Sequence, residues 1–448
     1  GKISVLIGWP LVVTYHAARL ILGFGLLLMI YRLMAEFVHS AVIRWVAFVM
    51  CAVMGGTGWL NVISGRALVL DSLPLDLILP EGFTFLLLYA FPHLILARLL
   101  LLWGTIRLWR AGENGSLRAA LGAGAIWLIM SVVQPVYGVV VVAVSIAMVA
   151  ARSIVQRRLD WKQVRTGTLA SLLASGMAAY VWLVFQIDPI YGQWGRTPIT
   201  SPAPEVYAMT YAIPLVLALG GVVYSVHRHD VGQLFLVMWT IIGPLLVYAP
   251  TNAQRRLIEG WQIPLSVMAA YGLVRYGLPL AQRLMRPLAS PQKLRHVTWI
   301  AVVACMTPTY LLMLTWHTTA AATRQPMFFE EGALVAASNW LNQYATYDDG
   351  VLAAYSSSTI IPSRAGVRVL LGHPSETVLV DERKADVQRF FQADTSDDWR
   401  RDLLDRFRLT YVLIGPAERR LGDFDPINAP YLKEVFTVND VSLYQRTP

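Results

Sequence analysis

The sequence is short of charge. Asp, Glu, Lys and Arg together make up 15% of its 448 residues, while 56% are hydrophobic. A soluble globular domain carries about 25% charged residues, so this deficit excludes a wholly water-soluble fold and names lipid as part of the solvent. Cysteine is scarce too. Cys51 and Cys305 both sit in apolar runs, which suits buried structural thiols and disfavours a disulfide or a zinc site. No phosphate-cradling glycine loop, zinc-ligand spacing or nucleophile elbow is present, so ATP-driven transport and serine hydrolysis lose support. The basic residues form no stripe interleaved with aromatics, and the net charge of +9 is therefore not a nucleic-acid footprint. Repeats, low-complexity tracts and long linkers are likewise lacking.

What charge there is falls unevenly. From Thr318 onward there are 14 Lys/Arg against 18 Asp/Glu, whereas the preceding part holds 23 against 10. Residues 1–317 are expected to form a multi-span transmembrane domain and 318–448 a soluble domain. Spanning helices need about 20 apolar residues. Candidate runs lie near 11–31, 45–62, 83–106, 117–133, 136–151, 167–187, 206–226, 231–250, 260–280 and 297–317, about ten spans in all. Around Gln134-Pro135-Val136-Tyr137-Gly138 the reading is either two short spans joined by a tight turn or a re-entrant hairpin.

Orientation follows from Lys and Arg in the short loops. One set of alternating loops holds 16 of them, among them Arg107, Arg110, Arg157, Arg158, Arg275 and Arg283; the other holds only Arg66, Arg196, Arg255 and Arg256. The first set is expected to face the cytoplasm, which puts the C-terminal domain outside. It also puts Gly1 outside, so a further span and loop are expected to precede it. In the C-terminal domain, helices are expected over Glu330 to Tyr344, Ala385 to Ala393 and Asp397 to Phe407. Strands are expected over Val351 to Tyr355, Val367 to Leu371, Thr410 to Ile414 and Val441 to Tyr444. Their alternation suggests an α/β domain with a largely parallel sheet.

Polar residues in such a chain are candidates for function. Arg255 and Arg256 lie together in an outer loop just where a helix is expected to begin. Paired guanidiniums grip phosphate oxygens, and a helix start adds a favourable dipole. The structural alternative is an ion pair with Glu259 plus snorkelling to headgroups. Asp71, Asp76 and Glu81 share a proline-flanked outer loop. A carboxylate there suits a general base or a divalent cation, Glu81 best because it is nearest the helix entry; solvated capping acids are the alternative. His16 and Arg19 are spaced to share a helix face, and His93 follows Pro92 at comparable depth. They would line one cavity with that loop, or simply hydrogen-bond between helices. Arg98 lies deeper, with Glu36 as a partner or snorkelling as an alternative. The loop 188–196 mixes Tyr, Trp and polar groups, a composition that suits carbohydrate or any membrane interface.

Several stretches carry a resemblance. They are Gln254-Arg255-Arg256-Leu257-Ile258-Glu259-Gly260 followed by Ile263-Pro264-Leu265, Leu75-Asp76 with Pro80-Glu81-Gly82, Pro92-His93 and Gln134-Pro135-Val136-Tyr137. The tail adds Ile361-Pro362-Ser363-Arg364-Ala365-Gly366, Gly372-His373-Pro374-Ser375-Glu376-Thr377 and Gly415-Pro416-Ala417-Glu418. With the layout above, the chain resembles the GT-C-fold membrane glycosyltransferases, in the branch of protein O-mannosyltransferases and aminoarabinose transferases and among its bacterial members. The resemblance implies a multi-pass protein of the bacterial inner membrane that moves a sugar from a polyprenyl-phosphate donor to a lipid, glycan or protein acceptor. It implies Glu81 and Asp76 as catalytic carboxylates in the role of second-loop helpers, Arg255 and Arg256 on the donor phosphate, and His16, Arg19, His93 and Glu259 along the cavity. A divalent cation is a candidate cofactor. His373 and Glu376 are candidate caps, with a turn-stabilising pair as the alternative. The family's principal carboxylate follows its first span, which here is expected before Gly1. A non-catalytic subunit of a larger membrane assembly and a lipid or solute transporter are the competing readings.

Overall fold

The computed structural model describes residues 2–65, 72–195, 198–285, 290–325, 329–374 and 377–447. The chain divides into two compact units, Gly1–Trp316 and His317–Pro448. Asp71 and Glu376, like Arg66 and Arg196, lie outside the described residues.

The first unit is helical. Every apolar run of the sequence falls on a helix or a helix pair, but fewer of them suffice to cross a membrane than the runs suggest. Among the described residues four do: Leu11–Phe37, Tyr137–Gln156, Trp161–Ile187 and Gln262–Leu284. The total becomes six if two bent pairs, Pro204–Thr210 with Ala212–Arg228 and Trp299–Met306 with Pro308–Ala322, each count as one span. The expectation of about ten is corrected accordingly. Ala41–Val53, Leu117–Val133 and Val231–Leu246 are apolar but have only 13, 17 and 16 residues. At about 1.5 Å per residue such helices fall short of a hydrocarbon core about 30 Å thick. Pro92–Asn114 is long enough, but Arg98, Arg107, Arg110 and Glu113 interrupt its apolar character.

Exposed Leu20, Ile21, Phe24, Leu172, Trp182, Val216 and Leu219 give these helices an apolar outer surface, as a multi-pass membrane protein requires. Small residues allow the interior to close. A side chain on Gly272 would collide with the Leu217 carbonyl, so helices Ala212–Arg228 and Gln262–Gly272 meet backbone to backbone. Residues 134–136 form a tight turn between helices Leu117–Val133 and Tyr137–Gln156. Cys51 is buried as expected, but Cys305 is exposed, because its helix turns that face outward.

The second unit carries a five-stranded sheet in the order β2-β1-β3-β5-β4, with β1 Gly350–Leu352, β2 Arg368–Val369, β3 Leu409–Ile414, β4 Leu432–Val438 and β5 Val441–Arg446. β2, β1 and β3 run parallel, while β5 is antiparallel to both β3 and β4. The sheet is therefore mixed, and β4 is a strand the apolar pattern missed. Its Lys433 and Glu434 break the hydrophobic run, as polar residues do on an edge strand. Alternate residues build two cores. Val351, Tyr411, Leu413 and Leu443 pack with Ala333, Leu334, Ala337 and Leu341 of helix Gly332–Tyr344. Leu352, Val412, Ile414 and Tyr444 pack with Phe390, Leu403 and Leu404, from helices Val380–Phe390 and Asp397–Arg406. A side-chain period of two thus makes a three-layer α/β/α unit.

Candidate functional site

A charge inside a helical membrane unit needs a partner, and Arg98 has one other than expected. Its Nε donates to Oε1 of Glu259, and its Nη2 donates to Oε2 at 3.1 Å. Both side chains are fully buried. The expected partner, Glu36, instead holds Arg110 through contacts of 2.9 and 2.7 Å. The remaining Arg98 donors reach the Glu81 carbonyl at 2.6 Å and the Thr84 hydroxyl at 3.2 Å. Tyr137 completes the Glu259 carboxylate from another helix at 2.7 Å. Gln262 accepts from the Thr84 amide at 2.6 Å and donates to the Met54 carbonyl at 3.1 Å. One guanidinium thus clamps the turn at 80–84 to the segment that bears the arginine pair, in surroundings where an unpaired charge would be costly.

That clamp presents Glu81. Its side chain is 6% exposed and lies 3.8 Å from Nε of Arg256, itself 38% exposed. Burial pushes the Glu81 carboxyl above its ordinary value and the neighbouring Glu259 adds to this, while Arg256 and Arg98 oppose the rise. His93 stands within electrostatic reach of Arg256, and Tyr207 within reach of both Arg255 and Glu81. The arginines occupy a five-residue 3-10 segment, Gln254–Ile258, and the next helix starts only at Gln262. The expected helix dipole at the pair is therefore corrected: so short a segment aligns too few peptides to supply one. Gln254 braces this segment instead, accepting from the Ser201 amide at 3.0 Å.

Asp76 has partners of its own, none of them shared with Glu81. It is fully buried. Its Oδ2 accepts from the Gly56 amide at 2.9 Å, the Gly58 amide at 3.1 Å and the Thr309 hydroxyl at 2.6 Å. A side chain on Gly58 would collide with the carboxylate, so glycine is what allows this close approach. Burial raises the Asp76 carboxyl, with the Thr309 hydroxyl and the Gly56 and Gly58 amides opposing. Oδ1 makes no hydrogen bond. Arg19 donates to the Tyr89 carbonyl at 2.5 Å, and Tyr15 donates to the neighbouring Ala90 carbonyl, so this face of the first long helix braces the break before Pro92. His16 packs edge-on against Tyr15. In the second unit, His373 lines a crevice of about 580 Å3 with Arg368, Arg383 and Phe407.

The structure therefore sets Glu81 beside Arg256 and ties Glu259 to the Arg98 that holds the Glu81 carbonyl, while it engages Arg19 and Asp76 elsewhere. The sequence singled out Arg98 but with Glu36 as its expected partner, and it gave no site role to Tyr137, Thr84, Gln262 or Thr309. A lone arginine in an apolar run was the one available signal, and only packing names its partner. Among the described residues no three His, Cys, Asp or Glu side chains converge.

No protein-family model and no curated protein sequence matches the chain. Among solved structures it is similar to the Archaeoglobus fulgidus oligosaccharyltransferase. Tethered with an acceptor peptide, that structure shows 13% identity and a TM-score of 0.45 over 88% of this chain and 57% of that one. The apo form shows 12% and 0.45 over 93% and 61%, and a complex with an inhibitory peptide and a dolichol-phosphate 12% and 0.43 over 96% and 62%. The chain thus spans less than two thirds of their length. At these TM-scores the likeness says nothing about chemistry, and what the buried cluster can do follows from its own geometry.

Proposed function

We infer that the chain is a membrane glycosyltransferase that moves a sugar from a polyprenyl-phosphate donor to a lipid, glycan or protein acceptor. The observation that carries this reading is the shielded Glu81 carboxylate 3.8 Å from the half-exposed Arg256. A carboxylate of raised proton affinity suits a general base, because its affinity approaches the working pH. A neighbouring guanidinium suits the phosphate that leaves. In the reaction, Glu81 takes the proton of the acceptor hydroxyl as that oxygen bonds to the anomeric carbon. The bond from that carbon to the phosphate oxygen breaks, the configuration inverts, and the phosphate departs with the electron pair against Arg256 and Arg255. Of the two candidate carboxylates we assign the base role to Glu81, since Asp76 is enclosed by its hydrogen bonds. His93 would border the donor, while Glu259, fully buried on Arg98 and Tyr137, would hold the turn that carries Glu81 in place. We place the site on the outer face of a bacterial inner membrane, with the C-terminal unit outside the cytoplasm.

The test is sugar transfer by the full chain in vesicles, from a panel of polyprenyl-phosphate sugars. Arg255→Ala with Arg256→Ala should abolish transfer while leaving insertion and thermal stability intact. Undiminished transfer by that variant would sink the assignment.

A further inference from the structure

The second unit has a cavity of its own that the transfer reaction does not use. After β1 the chain turns toward β2, and after β3 it turns toward β4 and β5 on the opposite side. The parallel neighbours β1 and β3 are therefore a topological switch point, where the outgoing connections part and leave a crevice at the carboxyl ends of the strands. The structure has an open space of about 480 Å3 there, lined by the residues that follow both strands. Such a volume is within the range of small-ligand sites.

The crevice has a built floor. Glu418 is fully buried, and its two oxygens accept from the Ala354 amide at 2.8 Å and the Gly415 amide at 3.0 Å. One carboxylate thus ties the exit of β1 to the exit of β3 and keeps the gap between them in shape. The rim is formed by Glu330, Glu331, Tyr355, Ser356, Thr359 and Arg420. Arg420 is anchored through Nε to the Pro416 carbonyl at 3.1 Å. Tyr355 is 40% exposed, with the rest of its surface packed against the unit.

This set has a chemical meaning. Carboxylates accept from adjacent hydroxyl pairs, serine and threonine hydroxyls both donate and accept, and an aromatic ring offers an apolar face. A sugar ring presents the matching groups: hydroxyls around its edge and a C–H face. Two glutamates at the rim oppose a phosphate or another polyanion. We propose that the crevice between β1 and β3 binds a sugar ring, neutral or amino-substituted, with Tyr355 under its apolar face and Glu330 and Glu331 on its hydroxyls. The crevice would do so whether or not the membrane unit transfers a sugar.

The full chain in detergent micelles is titrated with methyl mannoside, galactose, N-acetylglucosamine and glucosamine, and with inorganic phosphate as the anionic control. Saturation-transfer NMR reads the bound ligand. At least one sugar should bind, and about ten-fold more weakly to Tyr355→Ala and to Glu330→Gln with Glu331→Gln. Glu330 and Glu331 are exposed, so changing them should leave thermal unfolding unmoved, and the binding lost in that variant reads the site separately from the packing that Tyr355→Ala removes. Arg256→Ala should bind sugar as the parent chain does, which separates this site from the one in the membrane unit. Binding of none of the sugars, binding untouched by the Tyr355 and glutamate changes, or a preference for phosphate would overturn the proposal.

Discussion

Arg98 and Glu259 stand 161 residues apart in the chain and meet as a fully buried ion pair, with Tyr137 on the same carboxylate and the Glu81 carbonyl on the same guanidinium. Breaking a buried pair from one side strands the other charge. Arg98→Ala or Glu259→Ala should each cost about 3–5 kcal/mol, and the double variant much less than the sum. Thermal unfolding of the detergent-solubilised chain reads this as a double-mutant cycle; additive losses would refute the coupling.

The proton affinity of Glu81 leads to a pH dependence. Transfer needs the carboxylate, and burial raises the pH at which it forms, so the acid limb of the pH–rate profile should lie above the ordinary glutamate range of about 4.3. Arg256 opposes that rise. Arg256→Gln should therefore move the limb to still higher pH in whatever activity survives. A limb that stays in place would show that Glu81 is not the titrating base.

Asp76 anchors a turn. Thr309→Val removes one of its three donors and should cost about 1–3 kcal/mol, while preserving the chain's helicity. Gly58→Ala should be worse, because its methyl would meet the carboxylate. Urea or thermal unfolding compares the two variants; a Gly58→Ala protein as stable as the parent would contradict the packing described.

Glu418 gives the second unit a stability that depends on pH. Burial, the largest influence, raises its carboxyl; the Ser357 hydroxyl and the Ala354 and Gly415 amides oppose it. The folded state therefore holds this proton more tightly than the unfolded chain. The corresponding stabilisation is complete below about pH 4.3 and is lost as the pH rises through the elevated value. Glu418→Gln should flatten this window, at a cost of about 1–3 kcal/mol for an acceptor lost at Ala354 or Gly415. Hydrogen exchange at those two amides in the full chain measures both effects.

How far the sequence alone could be read depended on the range of the interaction concerned. Apolar runs located the helices, because lipid rewards local composition. They overstated the number of spans, since helix length and bending depend on breaks such as Phe91-Pro92 and Tyr211 and on charges such as Arg98. In the second unit, β1, β3 and β5 were legible from short apolar runs. The edge strand β4 was not, because it buries little and carries polar residues.

The sequence by itself determined that this is a membrane protein with an α/β unit at its C-terminal end, and that Glu81, Arg255 and Arg256 stand out from their surroundings. Those conclusions need only composition, spacing and charge. Tertiary structure alone decided that Glu81 faces Arg256, that Asp76 is enclosed with Thr309, and that Glu259 belongs to Arg98. The reason is physical: a buried charge takes as its partner whichever opposite charge the packing brings within reach, and that choice joins residues far apart in the chain. Tertiary structure likewise formed the crevice between β1 and β3, since a gap between two strand exits exists only once the strands have paired.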